Sequence, residues 1–235
     1  MSRTAEGLKN LLRTLQSGCD KLRLVISEKK SKVVAPVEDE WRVLNHEGDT
    51  VLSLKQVINY KYLGIPTYNT MFKTGVEKQK SAMQAAAKYK GGTMKLSKVG
   101  PDLVEVTNAC WQQVALPAIL FGCETIPFSE TNIETIERIQ SSVAKFALGL
   151  PRTSPNIVAQ TELGWKRFRH QLYSRQLAFY SRVMNLHSSR WVHQALRDHL
   201  AGNWDSRYLS YILRIRMEVG MDQFMPTKKA VQLHL

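Results

Sequence analysis

Five cations stand at intervals suited to following a polyanion. Lys73, Lys80 and Lys88 recur at steps of seven and eight residues, and Arg175 and Arg182 repeat the step of seven. At about 100° per residue, each set occupies roughly a quarter turn of a helix. Such rows can track a phosphate backbone by neutralising its charge, which makes binding steeply salt dependent. Rows of this kind also serve as the solvated faces of ordinary helices. Residues 73–100 hold seven Lys and one Glu, so acidic partners are scarce there and the phosphate reading gains weight. The arginine pair flanks an apolar arc of Leu172, Phe179 and Val183.

A second group lies earlier, in Asn59-Tyr60-Lys61-Tyr62-Leu63-Gly64-Ile65-Pro66. Strand alternation puts Tyr60 and Tyr62 on one side and Lys61 and Leu63 on the other. Gly64 lets another backbone approach closely or lets the strand bend. Lys61 offers a cation to phosphate; the plainer alternative is an edge strand with a stacked tyrosine pair. Lys30 sits with Lys29 in a polar turn between two β-rich runs. There its ammonium either offsets phosphate charge or faces water beside Lys29 and Lys32.

Other chemistry is missing from the sequence. His193 and His199 lie six residues apart with no cysteine nearby, which is not a zinc pattern. Glu38-Asp39-Glu40 points its carboxylates in alternating directions on an extended chain, so it reads as a solvated loop. No phosphate-binding glycine loop, nucleophile elbow or His-Glu-x-x-His pattern occurs, and no two aspartates are adjacent. Neither a complete active site nor a metal site is expected. Phe168, Tyr173, Phe179, Tyr180 and Trp191 are assigned mainly to packing, with Tyr173 and Trp165 kept as candidates for stacking on a base.

Charge narrows the class of partner. A net charge of +13 and a pI near 9.8 favour a polyanion, either nucleic acid or an anionic membrane. Residues 164–216 carry ten Lys or Arg against two Asp, whereas residues 101–163 hold three basic and seven acidic groups. Two basic blocks around an acidic spacer are the pattern of folded faces, not of a basic tail. Three cysteines (Cys19, Cys110, Cys123) without a Cys-x-x-Cys spacing exclude a disulfide framework and suit a reducing compartment. The amino terminus lacks an apolar signal region. The longest apolar run, Val114–Cys123, has ten residues, where a membrane span needs ~20. The expectation is a soluble intracellular protein of the cytoplasm or nucleus, with no membrane partner.

These residues need elements to hold them. Residues 5–19 place Leu8, Leu11, Leu12, Leu15 and Cys19 at helical spacing. Strands are expected at 22–27 and 31–35 around Glu28-Lys29-Lys30, then a hairpin of Trp41–Leu44 and Val51–Leu54 turning at Asn45–Asp49. A further strand, Tyr60–Ile65, is stopped by Pro66. Everything after it reads as helix, beginning with 72–90, ended by Gly91-Gly92. Pro101 opens a helix to about 121 with a kink at Pro117. A Thr131-x-x-Glu134 capping box opens the next, which buries Ile133 and Ile136 and is stopped by Gly149 and Pro151. A short helix runs from Ser154-Pro155 to Gly164, and three more follow at 167–186, 189–201 and 205–218. The fold class is α+β, with short N-terminal β-hairpins followed by a predominantly α-helical bundle. The expected limits are 1–68, 69–220 and a tail at 221–235.

A family resemblance runs through roughly residues 5–200. It is carried by Leu22-Arg-Leu-Val-Ile-Ser-Glu-Lys-Lys-Ser-Lys-Val-Val34 and by Asn59–Pro66. Leu120-Phe-Gly-Cys-Glu124, Ile136-Glu-Arg-Ile-Gln140, Leu148-Gly-Leu-Pro151 and Glu162-Leu-Gly-Trp165 follow in order. Together they resemble the end of the palm, the primer grip and the thumb of reverse transcriptases of non-LTR (LINE-like) retrotransposons. The resemblance implies a palm remnant in 1–68 and a thumb-like domain in 69–220 of an RNA-directed DNA polymerase. It implies that Lys30 lies near the incoming nucleotide's phosphates, and that Lys61, Tyr62, Leu63 and Gly64 hold the primer's 3′ end. Lys73, Lys80, Lys88, Arg175 and Arg182 would then hold an RNA–DNA or primer–template duplex. The paired aspartates that bind Mg²⁺ in such a polymerase are expected in a preceding portion, so this chain is expected to be inactive alone and to carry no cofactor of its own. The family usually has glycine where Arg23 stands, and the Cys/His knuckle that often follows its thumb is not found here. A non-enzymatic basic helical scaffold binding RNA or protein is the alternative.

Overall fold

Leu8 and Leu12 lie one turn apart on α1 (Ala5–Lys21) and pack against a small core of Val33, Trp41, Val43, Leu52 and Leu54. The computed structural model describes residues 5–35, 41–44, 50–62, 65–68, 71–95, 102–200 and 207–220. Among the described residues the fold is α+β, 65% helical with a few small strands, and the chain divides into two units, Met1–Val76 and Glu77–Leu235.

In the first unit, β2 (Trp41–Leu44) and β3 (Thr50–Gln56) are antiparallel, as the alternating pattern predicts. Trp41 stands opposite Leu54 and Val43 opposite Leu52, so the period of two turns all four toward the core. The expected strand at 22–27 does not form. Arg23 ends α1 in the left-handed region at φ 54°, its N–H bonding Asp20 O at 3.1 Å while Leu24 N–H bonds Cys19 O at 2.8 Å. This is the Schellman arrangement that satisfies the last helical carbonyls, and it takes up backbone groups a strand would need. After the turn at Glu28–Lys30 only β1 (Lys32–Val33) pairs, in parallel with β3, giving the order β1-β3-β2. Pro66 does not stop the sheet either. β4 (Asn59–Tyr62) folds back on β5 (Ile65–Tyr68), with Lys61 opposite Pro66. Both strands of a two-stranded hairpin are edges, where a residue without an N–H is tolerated.

α2 (Met71–Met94) begins in the first unit; its part in the second buries Ala82 and Ala86 and runs through Gly91-Gly92 instead of ending there. Each glycine costs a helix about 1 kcal/mol, and burial of Thr93, whose Oγ1 bonds Tyr89 O at 2.8 Å, opposes that cost. Pro117 is accommodated by a widened ladder. α3 (Leu103–Ala109) passes into a π-helical segment (Cys110–Ala115), which leads to α4 (Leu116–Leu120) with Pro117 in its first turn. α5 (Glu130–Ala147) is capped by Ser129, not by the expected Thr131: Ser129 Oγ accepts the Asn132 N–H at 3.3 Å. Gln79 Oε1 draws the start back, accepting Ser129 N–H at 3.0 Å and Asn132 Nδ2 at 2.7 Å. α6 (Asn156–Glu162), α7 (Phe168–Met184), α8 (Trp191–Leu200) and α9 (Arg207–Glu218) complete the order.

Trp111, Ile119, Ile133, Phe168, Leu177 and Ile212 are among the fully buried side chains of this core. One interior amide, Gln176, donates to Cys123 O and Ile126 O at 3.0 and 2.8 Å and accepts from Tyr211 OH at 3.2 Å. Trp191, expected to pack, is 85% exposed at the start of α8. Among the described residues, no helix is long and apolar enough to cross a membrane. Pro101, the Asn45–Asp49 turn, Glu38-Asp39-Glu40 and the 221–235 tail lie outside the described residues.

Candidate nucleic-acid interface

On α7, burial of Leu172, Tyr173, Gln176, Leu177, Tyr180 and Val183 fixes the helix rotation. Arg175 and Arg182 are left exposed, and two helical turns separate them by about 10.5 Å along the axis. Both open onto one groove of about 590 Å³, together with Phe179, Asn185 and Glu124. The Arg182 guanidinium lies 5.3 Å from the Phe179 ring centroid, an attraction set by the ring's quadrupole. Arg175 Nη1 stands 3.7 Å from Glu124 Oε1. A solvent-facing pair of that length is worth about 0–1 kcal/mol, so a phosphate oxygen can replace the carboxylate at small cost. Phe179 offers a π-face between the two cations.

The lysine row on α2 is less uniform than its spacing implies. Lys73, in the first unit, holds its ammonium 5.0 Å from the Tyr68 ring centroid. Lys80 is not short of an acidic partner, because the segment's one Glu, Glu77, stands three residues before it, and Nζ meets Oε1 at 2.7 Å. Lys88 is exposed. Sequence spacing missed Lys78, which shares the buried stripe of Ala82 and Ala86 at steps of four. It is 3% exposed, with Nζ 5.7 Å from the Phe121 ring centroid. The i, i+4, i+8 pattern with two alanines was the available signal.

The first unit brings together the two segments singled out in its sequence. Tyr60, on β4, donates its hydroxyl to Lys30 O at 3.0 Å, and Glu28 Oε1 accepts the Ser53 N–H of β3 at 2.6 Å. The Glu28–Lys30 turn is thereby held against both strands, with the Lys30 and Lys61 side chains exposed. Tyr62 pairs with Ile65 in the ladder, while Leu63 and Gly64 lie outside the described residues. Among the described residues, no three His, Cys, Asp or Glu side chains form a metal-binding group.

Part of the positive charge is spent internally. Arg169 Nη1 meets Glu130 Oε2 at 2.6 Å and Glu218 Oε1 at 3.5 Å, and Arg214 Nη2 meets Glu130 Oε1 at 3.1 Å, tying α7 and α9 to the start of α5. Burial alone would lower the Arg169 pKa, but the hydrogen bond and charge of Glu130 together with the contacts to Tyr173 outweigh it, and the guanidinium is held still more firmly charged. Tyr173, a candidate for base stacking, is 1% exposed and points its hydroxyl at Glu218 Oε2, 3.4 Å away. It is a core residue. Burial, helped by Glu130 and Glu218, raises its phenol pKa. Trp165 is buried too, with its ring stacked on Trp111 at 5.7 Å. No protein-family model, no curated protein and no solved structure matches the chain.

Proposed function

We propose that this chain is the nucleic-acid-binding C-terminal part of an RNA-directed DNA polymerase of the non-LTR retrotransposon type. In this reading it holds primer–template duplex inside the cell, in cytoplasm or nucleus, and lacks the catalytic aspartates. The observation that carries the reading is the α7 groove, where Arg175 and Arg182 flank Phe179 two turns apart. Charges so placed can neutralise phosphates of one bound strand. The hydrogen bond between Tyr60 and Lys30 adds support, because it joins the segments on which the family resemblance rests.

The test is anisotropy of a labelled RNA–DNA hybrid duplex titrated with the protein. Saturable binding is expected, weakened by Arg175→Ala and by Arg182→Ala. A hybrid that stays free at low salt contradicts the reading.

One feature favours a second reading, a basic scaffold that also binds protein. Leu22, Leu24 and Val25 are exposed, Val25 to 93%, an apolar run that a protein partner would cover. Under that reading, serine substitutions at these positions abolish an association that the arginine variants leave intact.

A further inference from the structure

A second concavity of the helical unit, about 310 Å³ in volume, is lined by Asn108 of α3, Gln112 of the π segment, the Leu163–Lys166 turn and Gln171 of α7. Its hydrogen bonding is set by partners with a single role each. Trp165 Nε1–H can only donate, and it donates to Asn108 Oδ1 at 2.7 Å; among the described residues the Asn108 Nδ2 hydrogens have no partner. The Lys166 carbonyl can only accept, and it accepts from Gln171 Nε2 at 2.9 Å and from Gln140 Nε2 at 2.8 Å. Among the described residues Gln171 Oε1 has no hydrogen-bond partner. Among the described residues, Gln112 has no side-chain hydrogen bond and the Lys166 ammonium no ion pair.

The pocket thus offers donors, an acceptor, one amide that supplies both on adjacent atoms, and a cation. Among the described residues no carboxylate lines it to hold a metal ion, and an oxyanion has no use for Gln171 Oε1. A nucleobase edge presents donor and acceptor side by side, which a free Gln amide matches in bidentate fashion. The base's phosphate matches Lys166. The volume sits at the low end of the ~300–1,000 Å³ of ligand pockets, room for one heterocycle and its sugar but not for a duplex. The wall is preformed: Gly164, at φ 65°, turns the chain so that Trp165 N–H bonds Gln160 O at 2.7 Å, and the indole then stacks on Trp111.

We propose that this pocket receives one unpaired base of the bound strand, its edge read by Asn108, Gln112 and Gln171, with Lys166 on its phosphate. The inference rests on the nucleic-acid reading above. The test compares an RNA–DNA hybrid with a blunt end and the same hybrid with a single-nucleotide adenosine overhang, with AMP as the free-nucleotide arm. The overhang is expected to bind about tenfold more tightly than the blunt duplex, roughly the worth of one bidentate amide–base pair. Gln112→Ala removes this advantage and leaves blunt-end affinity and the thermal midpoint unchanged, since the Gln112 side chain makes no hydrogen bond among the described residues. An advantage missing from wild type, or kept by Gln112→Ala, overturns the inference while leaving the duplex reading standing. If neither duplex binds, the duplex reading fails, and this one with it. AMP binding that depends on Gln112, without an overhang advantage, overturns the strand assignment in favour of a free nucleotide.

Discussion

Arg23 occupies a left-handed backbone position at φ 54°. A residue with a Cβ pays roughly 1–2 kcal/mol there, and glycine, usual at this point in the resembling polymerases, adopts the conformation freely. Glycine also loosens the unfolded chain, which returns part of the gain. Arg23→Gly is therefore expected to stabilise the first unit by about 0.5–1 kcal/mol, read as a higher urea midpoint; a lower midpoint would mean that the Arg23 side chain itself supports the turn. At this scale the sequence was legible where residue type signals backbone, as at Gly149 (φ 63°) and Gly164. It was illegible at Arg23, because nothing in an arginine marks a positive φ, and the strand expected at 22–27 was misread for that reason. Lys30, Lys61, Arg175 and Arg182 were legible as exposed cations. Lys78 was not, because its charge masked its place on an alanine stripe.

Among the elements, the long helices were readable from their 3.6-residue period, since one face of each had to be apolar to build the core. Their ends were harder. The start of α5 is set by Gln79, some fifty residues earlier in sequence, and the π segment before Pro117 has no local signature. The parallel β1–β3 pairing spans two residues on each strand and is non-local, so no hairpin signal announces it. Element geometry carries a prediction at Gly164. Alanine there has open space around its Cβ but inherits φ 65°, so Gly164→Ala should cost about 1 kcal/mol. It should also raise tryptophan accessibility to acrylamide as Trp165 loses its fixed position. Unchanged stability and quenching would mean that the stack on Trp111 holds Trp165 without the turn.

For the whole helical unit, buried acids of high pKa set the alkaline limit. Burial pushes the Cys123 thiol from 9.0 up to about 12 and raises the Tyr208 and Tyr211 phenols above their ordinary 10.0. Each group keeps its proton in the folded state after the unfolded chain has released it. The unfolded state then binds fewer protons, so stability is full below pH 9 and falls as pH rises from about 9 towards 12. The urea midpoint of the helical unit should decline across this range, and less so in Cys123→Ala; a flat profile would mean these groups are solvated.

The net charge of +13 is likewise a property of the whole molecule, although Glu130, Glu124 and Glu77 each engage an arginine or lysine. What remains open to a partner includes the α7 groove, and the central claim is that phosphates sit there. The most direct measurement is the salt dependence of RNA–DNA hybrid affinity for wild type and for the Arg175→Ala, Arg182→Ala double variant. If both arginines neutralise phosphates, the slope of log affinity against log salt should become shallower by about 1–2 units in the variant. Equal slopes would place the nucleic acid elsewhere and leave the groove as a solvated face.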